Sequence, residues 1–251
     1  MHTRLLSILV FLIATLYASA GFGGASGYLT AMSFFSVPVN VMASTALLLN
    51  ILVSSVSFTS YTRAGHLKLN LFLPFLITSV PAAFVGGYVK ISEQTYTTLL
   101  YLMLTYLAVR MIFFRSQTES KSWAARPLPF WAALITGAIV GLLSGILGIG
   151  GGIFLSPLIL MMQWGTSKQA AASAGGFIAI NSISGLIGRV LSGTFALGEF
   201  GLWLLPAGLF GALIGSQLGA LRFSNANVRR ALGIILTIAV GTYWINTFLA
   251  L

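Results

Sequence analysis

From Leu5 to Thr62 the chain carries no Asp, Glu, Lys or Arg. Further charge-free stretches run Leu69 to Val89, Gln94 to Val109, Pro127 to Ser167, Gln169 to Gly188, Phe200 to Leu221 and Ala231 to Leu251. A water-soluble domain needs a polar skin, and 57% hydrophobic against 6% charged residues cannot supply one. The solvent is therefore lipid. A helix needs about 20 residues to cross a hydrocarbon core of ~30 Å, so some stretches fit one crossing and two are too long for one. The apolar runs are rich in Leu, Ile, Phe, Ala and Gly without strict alternation, which favours helices over barrel strands. The expected fold is an all-α, polytopic membrane helical bundle of about eight transmembrane helices. The spans fall near residues 5–22, 41–62, 69–89, 95–113, 128–147, 169–189, 199–221 and 230–250.

Two glycine runs interrupt this pattern, one at Gly21, Gly23, Gly24 and Gly27, the other at Gly148, Gly150, Gly151 and Gly152. At an offset of 127, Gly21, Gly23 and Gly24 meet Gly148, Gly150 and Gly151. After a one-residue shift, Ala43, Thr45, Ala46 and Ser54 meet Ala171, Ser173, Ala174 and Ser182, and Gly65 and Gly87 meet Gly193 and Gly215. This order of matches predicts two repeated halves, residues 1–114 and 128–251. The polar segment 115–127 is the expected cytoplasmic linker between them. Arg4, the apolar run after it and Ala18 to Ala20 resemble a cleavable secretory signal. The recurrence of the first glycine run deep in the chain argues that this first span is retained.

Ala25 to Ser36 and Ile153 to Trp164 each give about 12 residues, or roughly 18 Å of helix, too short to cross. Each is expected to be an interrupted, re-entrant half-helix. A helix amino terminus has unpaired N–H groups and about half a unit of positive charge, which suits an anion. Glycine lets a ligand approach that backbone, and irregular backbone at membrane depth is tolerated where it lines a cavity. The same glycines also serve close helix packing. Thr45 and Ser173 occupy matched positions on the following helices, with Asn50, Ser54, Asn181 and Ser182 further along. Arg189 lies eight residues after Asn181 and can share its face, either as an anion attractor or as a snorkelling anchor. The candidate substrate-binding residues are therefore Gly23, Gly24, Thr45, Gly150, Gly151, Gly152, Ser173, Asn181 and Arg189.

The net charge of +10 comes from basic residues scattered through short loops, which reads as topological anchoring and not as a nucleic-acid surface. With eight crossings, Arg4, Arg63, Lys68, Arg110, Arg115, Lys121, Arg126 and Arg189 fall on the side of the amino terminus. Lys90, Lys168, Arg222, Arg229 and Arg230 fall opposite. That margin predicts cytoplasmic termini. Catalysis is poorly supplied: there is no Asp or Cys, and the three Glu (Glu93, Glu119, Glu199) and two His (His2, His66) share no helical spacing. No enzyme activity, cofactor or metal is expected. The Gly148 run lacks the Lys-Ser/Thr ending of a phosphate loop.

The segment Gly141 to Gly152 with Pro157, followed by Ala170 to Ser173 opening a helix with Asn181 and Ser182, resembles the sulfite exporter TauE/SafE family. The first half departs from the usual pattern, with Thr30 where a proline is expected and Ala25 and Ser26 interrupting the glycines. The resemblance implies a multi-pass carrier of the bacterial inner membrane for a small anionic substrate, such as sulfite, a sulfonate or another organic anion. The implied partners are that anion and the lipid bilayer, with a homo-oligomer left open. An anion channel and a non-transporting membrane assembly or receptor protein are the alternatives.

Overall fold

The computed structural model describes residues 2–113, 126–221 and 241. Among them the chain forms α1 (His2–Ser19), α2 (Ala25–Phe34), α3 (Val39–Arg63), α4 (Leu69–Tyr88), α5 (Glu93–Phe113), α6 (Phe130–Leu147), α7 (Gly152–Met161), α8 (Ser167–Leu191) and α9 (Gly198–Leu221), and no strand. The helices α3, α4, α6 and α8, and Gly201–Gly219 within α9, are long and apolar enough to cross a membrane. The span expected near 230–250, with Arg222, Arg229 and Arg230, lies outside the described residues, as does most of the 115–127 linker.

Helix direction follows from which residues touch. The carbonyl oxygens of Phe11, Thr15 and Ser19 in α1 face Gly211, Gly215 and Gly219 in α9. Those of Phe75, Ser79 and Ala83 in α4 face Gly137, Gly141 and Gly145 in α6. Residue numbers rise together in both pairs, so both are parallel. Glycines four apart lie on one helix face, and a Cβ at any of them would strike the partner's backbone; such stripes let membrane helices approach closely. Likewise α3 runs with α9, through Leu49 and Val53 against Gly208 and the Ser60 hydroxyl donating to Ser216 Oγ at 3.2 Å. In turn α8 runs with α4, through the Ser184 hydroxyl donating to the Val80 carbonyl at 2.7 Å and Gly188 against Phe84. Across the middle, Leu47 approaches Gly185 while Phe58 packs on Gly175 and Gly176, so α3 and α8 are antiparallel.

Two three-helix groups of opposite direction thus meet at α3 and α8. Each group mixes helices from before and after the 115–127 segment. Their directions also fix α2 and α7. The Ser26 side chain meets Tyr17 OH at 2.7 Å, and Gly27 lies against Ile13, so α2 turns back along α1. At its far end α7 brings Trp164 to Phe75, near the start of α4. Both therefore return toward the face from which the preceding helix entered, as re-entrant elements.

This packing corrects the charge tally made from sequence. Arg4 opens α1 and Arg63 closes the parallel α3, so they lie at opposite faces. Lys68, Arg126 and Lys168 share the Arg63 face: Lys68 precedes α4, Arg126 precedes the parallel α6, and Lys168 Nζ donates to the Gly219 carbonyl at 2.9 Å at the end of α9. Lys90, after α4, and Arg189, near the end of α8, lie at the Arg4 face. Sequence counting missed this because each half-helix with its glycine loop retraces the membrane once.

Local geometry repeats at the offsets read from sequence. Ser36 and Gln163, 127 positions apart, are the two non-glycine residues with positive φ among the described residues, at 53° and 59°. Each closes a half-helix with the same pair of bonds: Ser36 and Val37 N–H donate to the Ser33 and Met32 carbonyls, and Gln163 and Trp164 N–H to those of Leu160 and Ile159. Positive φ is uncommon away from glycine, so the coincidence is informative.

Candidate functional site

The site is built where the two glycine runs meet α3 and α8. After α1 the chain passes Gly21 to Gly24, and Gly24, at φ 95°, caps α2 with no side-chain hydrogen bond. After α6 it passes Gly148 to Gly151, and Gly151, at φ 77°, caps α7 in the same bare manner. A left-handed cap costs an L-residue about 1–2 kcal/mol, which is why glycine stands at both. The contrast is α8, whose start is closed by a capping box: Gln169 N–H donates to Thr166 Oγ1 and Thr166 N–H to Gln169 Oε1. The first helical bonds of the half-helices run from Tyr28 N–H to Gly24 O and from Phe154 and Leu155 N–H to Gly151 O. The amides ahead of these have no intrahelical acceptor.

The two runs dock reciprocally. A Cβ on Gly21 would lie 2.6 Å from that of Ala171, and one on Gly148 would lie 2.8 Å from the Ala43 carbonyl oxygen. Each run therefore rests on the first turn or two of the opposite half's long helix. Deeper in, both converge on Asn50 of α3 and Ile178 of α8. A Cβ on Gly23 would sit 2.5 Å from Asn50 Oδ1 and 2.9 Å from Ile178 Cγ2. One on Gly150 would sit 2.6 Å from Ile178 Cγ2, 2.8 Å from Asn50 Nδ2 and 3.2 Å from Ser182 Oγ. Gly152 also touches Ile178 and the Ala174 carbonyl. Asn50 Nδ2 donates to the Gly148 carbonyl at 3.2 Å, tying α3 to the second break, which turns Oδ1 toward the first.

The lining is polar and buried. Asn50, Ser182 and Tyr28 are each 0% exposed, and Asn50 Oδ1, Ser182 Oγ and Tyr28 OH have no hydrogen-bond partner. The Tyr28 hydroxyl lies 2.7 Å from where a Cβ on Gly24 would be, over the start of α2. Buried polar atoms are rarely left unpaired, and three of the unpaired ones meet at this junction. No group of three or more His, Cys, Asp or Glu suited to a metal ion occurs among the described residues.

The sequence candidates divide. Gly23, Gly24, Gly150, Gly151 and Gly152 lie at the convergence. Thr45 is buried with its hydroxyl unpartnered, but it faces Gly201 of α9 and not the breaks. Ser173 and Asn181 are buried on α8; the Asn181 amide donates to its own helix at Phe177 O, leaving Oδ1 unpartnered. Arg189 is engaged elsewhere: Nη2 donates to the Ile146 carbonyl at 2.6 Å and approaches that of Gly145 at 3.5 Å. It neutralises the negative carboxyl end of α6, just before the Gly148 break. Tyr28 and Ile178 had no distinguishing sequence signal, since an aromatic and an aliphatic residue in apolar helices look like packing.

Comparison with known proteins places these features in a family. A family profile described as "Sulfite exporter TauE/SafE" matches residues 6–243. A probable membrane transporter protein of Sinorhizobium fredii is 36% identical over 237 residues, covering 93% of this chain and 95% of that protein. Similar proteins, each also described as a probable membrane transporter, occur in Methanocaldococcus jannaschii (26% identical; 76% of this chain and 73% of that protein) and Bacillus subtilis (23% identical; 85% and 87%). No solved structure matches.

Proposed function

Because the chain belongs to the sulfite exporter TauE/SafE family, we propose that it is a secondary membrane transporter for a small anion, with sulfite, sulfonates and related organic anions as the substrate class. The observation that carries this reading is the meeting of two uncapped half-helix amino termini at Asn50 and Ile178. Two helix ends contribute about half a positive charge each, so together they balance roughly one negative charge. That matches a monoanion. The three acids of the chain, Glu93, Glu119 and Glu199, belong to none of α2, α3, α7 or α8, so no carboxylate on those helices opposes it.

A carrier fits better than a channel, since every residue at the convergence is buried. The reciprocal docking, the crosswise pairing of α1 with α9 and α6 with α4, and the matched Ser36 and Gln163 turns support two inverted halves rocking about α3 and α8. The basic face holding Arg63, Lys68, Arg126 and Lys168 is then cytoplasmic, where α5 ends and α6 begins, and Arg4 faces the opposite side. Flux of labelled sulfite and sulfonates into proteoliposomes tests the function. Saturable flux supports a carrier and unsaturated flux a channel; no flux of any anion defeats both.

A further inference from the structure

We propose that the anion bound at this junction is hydrogen-bearing, and that Asn50 Oδ1 accepts a hydrogen bond from it while the half-helix amides and the Tyr28 hydroxyl hold its charge. The inference rests on the anion reading above and specifies which anions satisfy it.

The junction is not uniformly a donor surface. Asn50 Nδ2 is committed to the Gly148 carbonyl at 3.2 Å, so the amide orientation is set, and Oδ1 faces Gly23. That oxygen is an acceptor only, fully buried and unpartnered. A bare anion brought to the α2 amides would meet the Oδ1 lone pairs beside them and leave them unpaired. A ligand with an O–H or N–H next to its charged group satisfies both kinds of atom. Tyr28 OH, equally buried and unpartnered at Gly24, can donate to the anionic oxygens. A metal cation would also satisfy Oδ1, but it would face two positive helix ends with no acid on the helices that form the junction. A hydrogen-bearing monoanion, such as hydrogen sulfite or a hydroxyalkyl sulfonate, satisfies Asn50 Oδ1, the half-helix amides and Tyr28 OH together.

The test is the affinity of the purified full chain in nanodiscs for isethionate and for propane-1-sulfonate, which replaces the hydroxyl with a methyl group. Leaving a buried acceptor unmade predicts isethionate tighter by roughly 5- to 150-fold. Asn50→Ala is expected to bring that ratio close to one, whatever it does to the affinity for each sulfonate alone, since it also removes the Nδ2 bond to the Gly148 carbonyl. In parallel, sulfite binding is measured at pH values on either side of its hydrogen sulfite step, and weakens as the proton is lost. Equal affinities for the two sulfonates, or sulfite binding indifferent to that proton, overturns this inference and leaves the anion reading standing. An Asn50→Ala protein with the parent's ratio overturns the role of Asn50. Failure of all three anions to bind removes the anion reading itself. Should Asn50→Ala not fold, the parent comparison alone decides.

Discussion

Replacing Gly150 with alanine adds one methyl group at the junction and separates the mechanism from simple packing. Gly150 has φ 76°, and its new Cβ would lie 2.6 Å from Ile178 Cγ2 and 2.8 Å from Asn50 Nδ2. The left-handed backbone costs an alanine about 1–2 kcal/mol. Overpacking a filled site adds about 1–3 kcal/mol. Gly193 supplies the control: its φ is 71°, yet nothing lies within 4 Å of its Cβ position, so Gly193→Ala bears only the backbone cost. The excess at Gly150 is the overpacking term, and it falls on Asn50 and Ile178, whose positions define the junction. The expected result is anion flux in proteoliposomes reduced tenfold or more for Gly150→Ala and near parental for Gly193→Ala, with both proteins monodisperse in detergent. Gly150→Leu, a larger intrusion, should leave no measurable flux. Parental flux from the Gly150 variants would remove this junction from the transport path.

Other consequences can be checked separately. Arg189→Ala removes a charged hydrogen bond to the last turn of α6, typically worth about 1.5–3 kcal/mol, so thermal stability should fall, and Arg189→Lys should recover part of it; an unchanged melting temperature would show that this contact does not hold the helix end. His66 lies beside the Tyr61 ring, whose other neighbour is Lys168, and partial burial followed by the Lys168 charge holds its pKa below the ordinary 6.5. The unfolded chain then binds more protons, so the contribution of neutral His66 is complete above pH 6.5 and fades as pH falls through the folded-state value; His66→Gln should flatten that acid-side slope in a thermal-shift series. Since the chain has no cysteine, single substitutions report sidedness cleanly. Asn70→Cys, at the Arg63 face, and Ser92→Cys, at the Arg4 face, should label from opposite sides of the membrane, the former from the cytoplasm, and labelling of both from one side would show that α4 does not cross it.

Much of the architecture is local and was legible in the residues. Hydropathy marks a helix because every crossing residue meets lipid or a neighbouring helix, and the expected spans fall on α1, α3, α4, α5, α6, α8 and α9. The half-helices were readable as lengths between breaks. The glycine runs identified the junction for the same local reason: two interruptions of apolar helix need a purpose.

What the sequence could not carry was direction and partnership. Whether Arg63 lies with Arg4 or opposite it depends on whether α2 counts as a return across the membrane, and that depends on contacts with α1 and α3 that no linear pattern records. The glycines of α6 and α9 recur every four residues in the sequence, but only the tertiary structure set them against α4 and α1, because many helices offer small residues and the fit of two backbones selects one pairing. Arg189, placed beside a possible anion by its spacing from Asn181, is drawn by its charge to the carboxyl end of α6. Asn50 gained its meaning in the same way. Its two ends became different only when Gly148 took one of them and left the other facing Gly23.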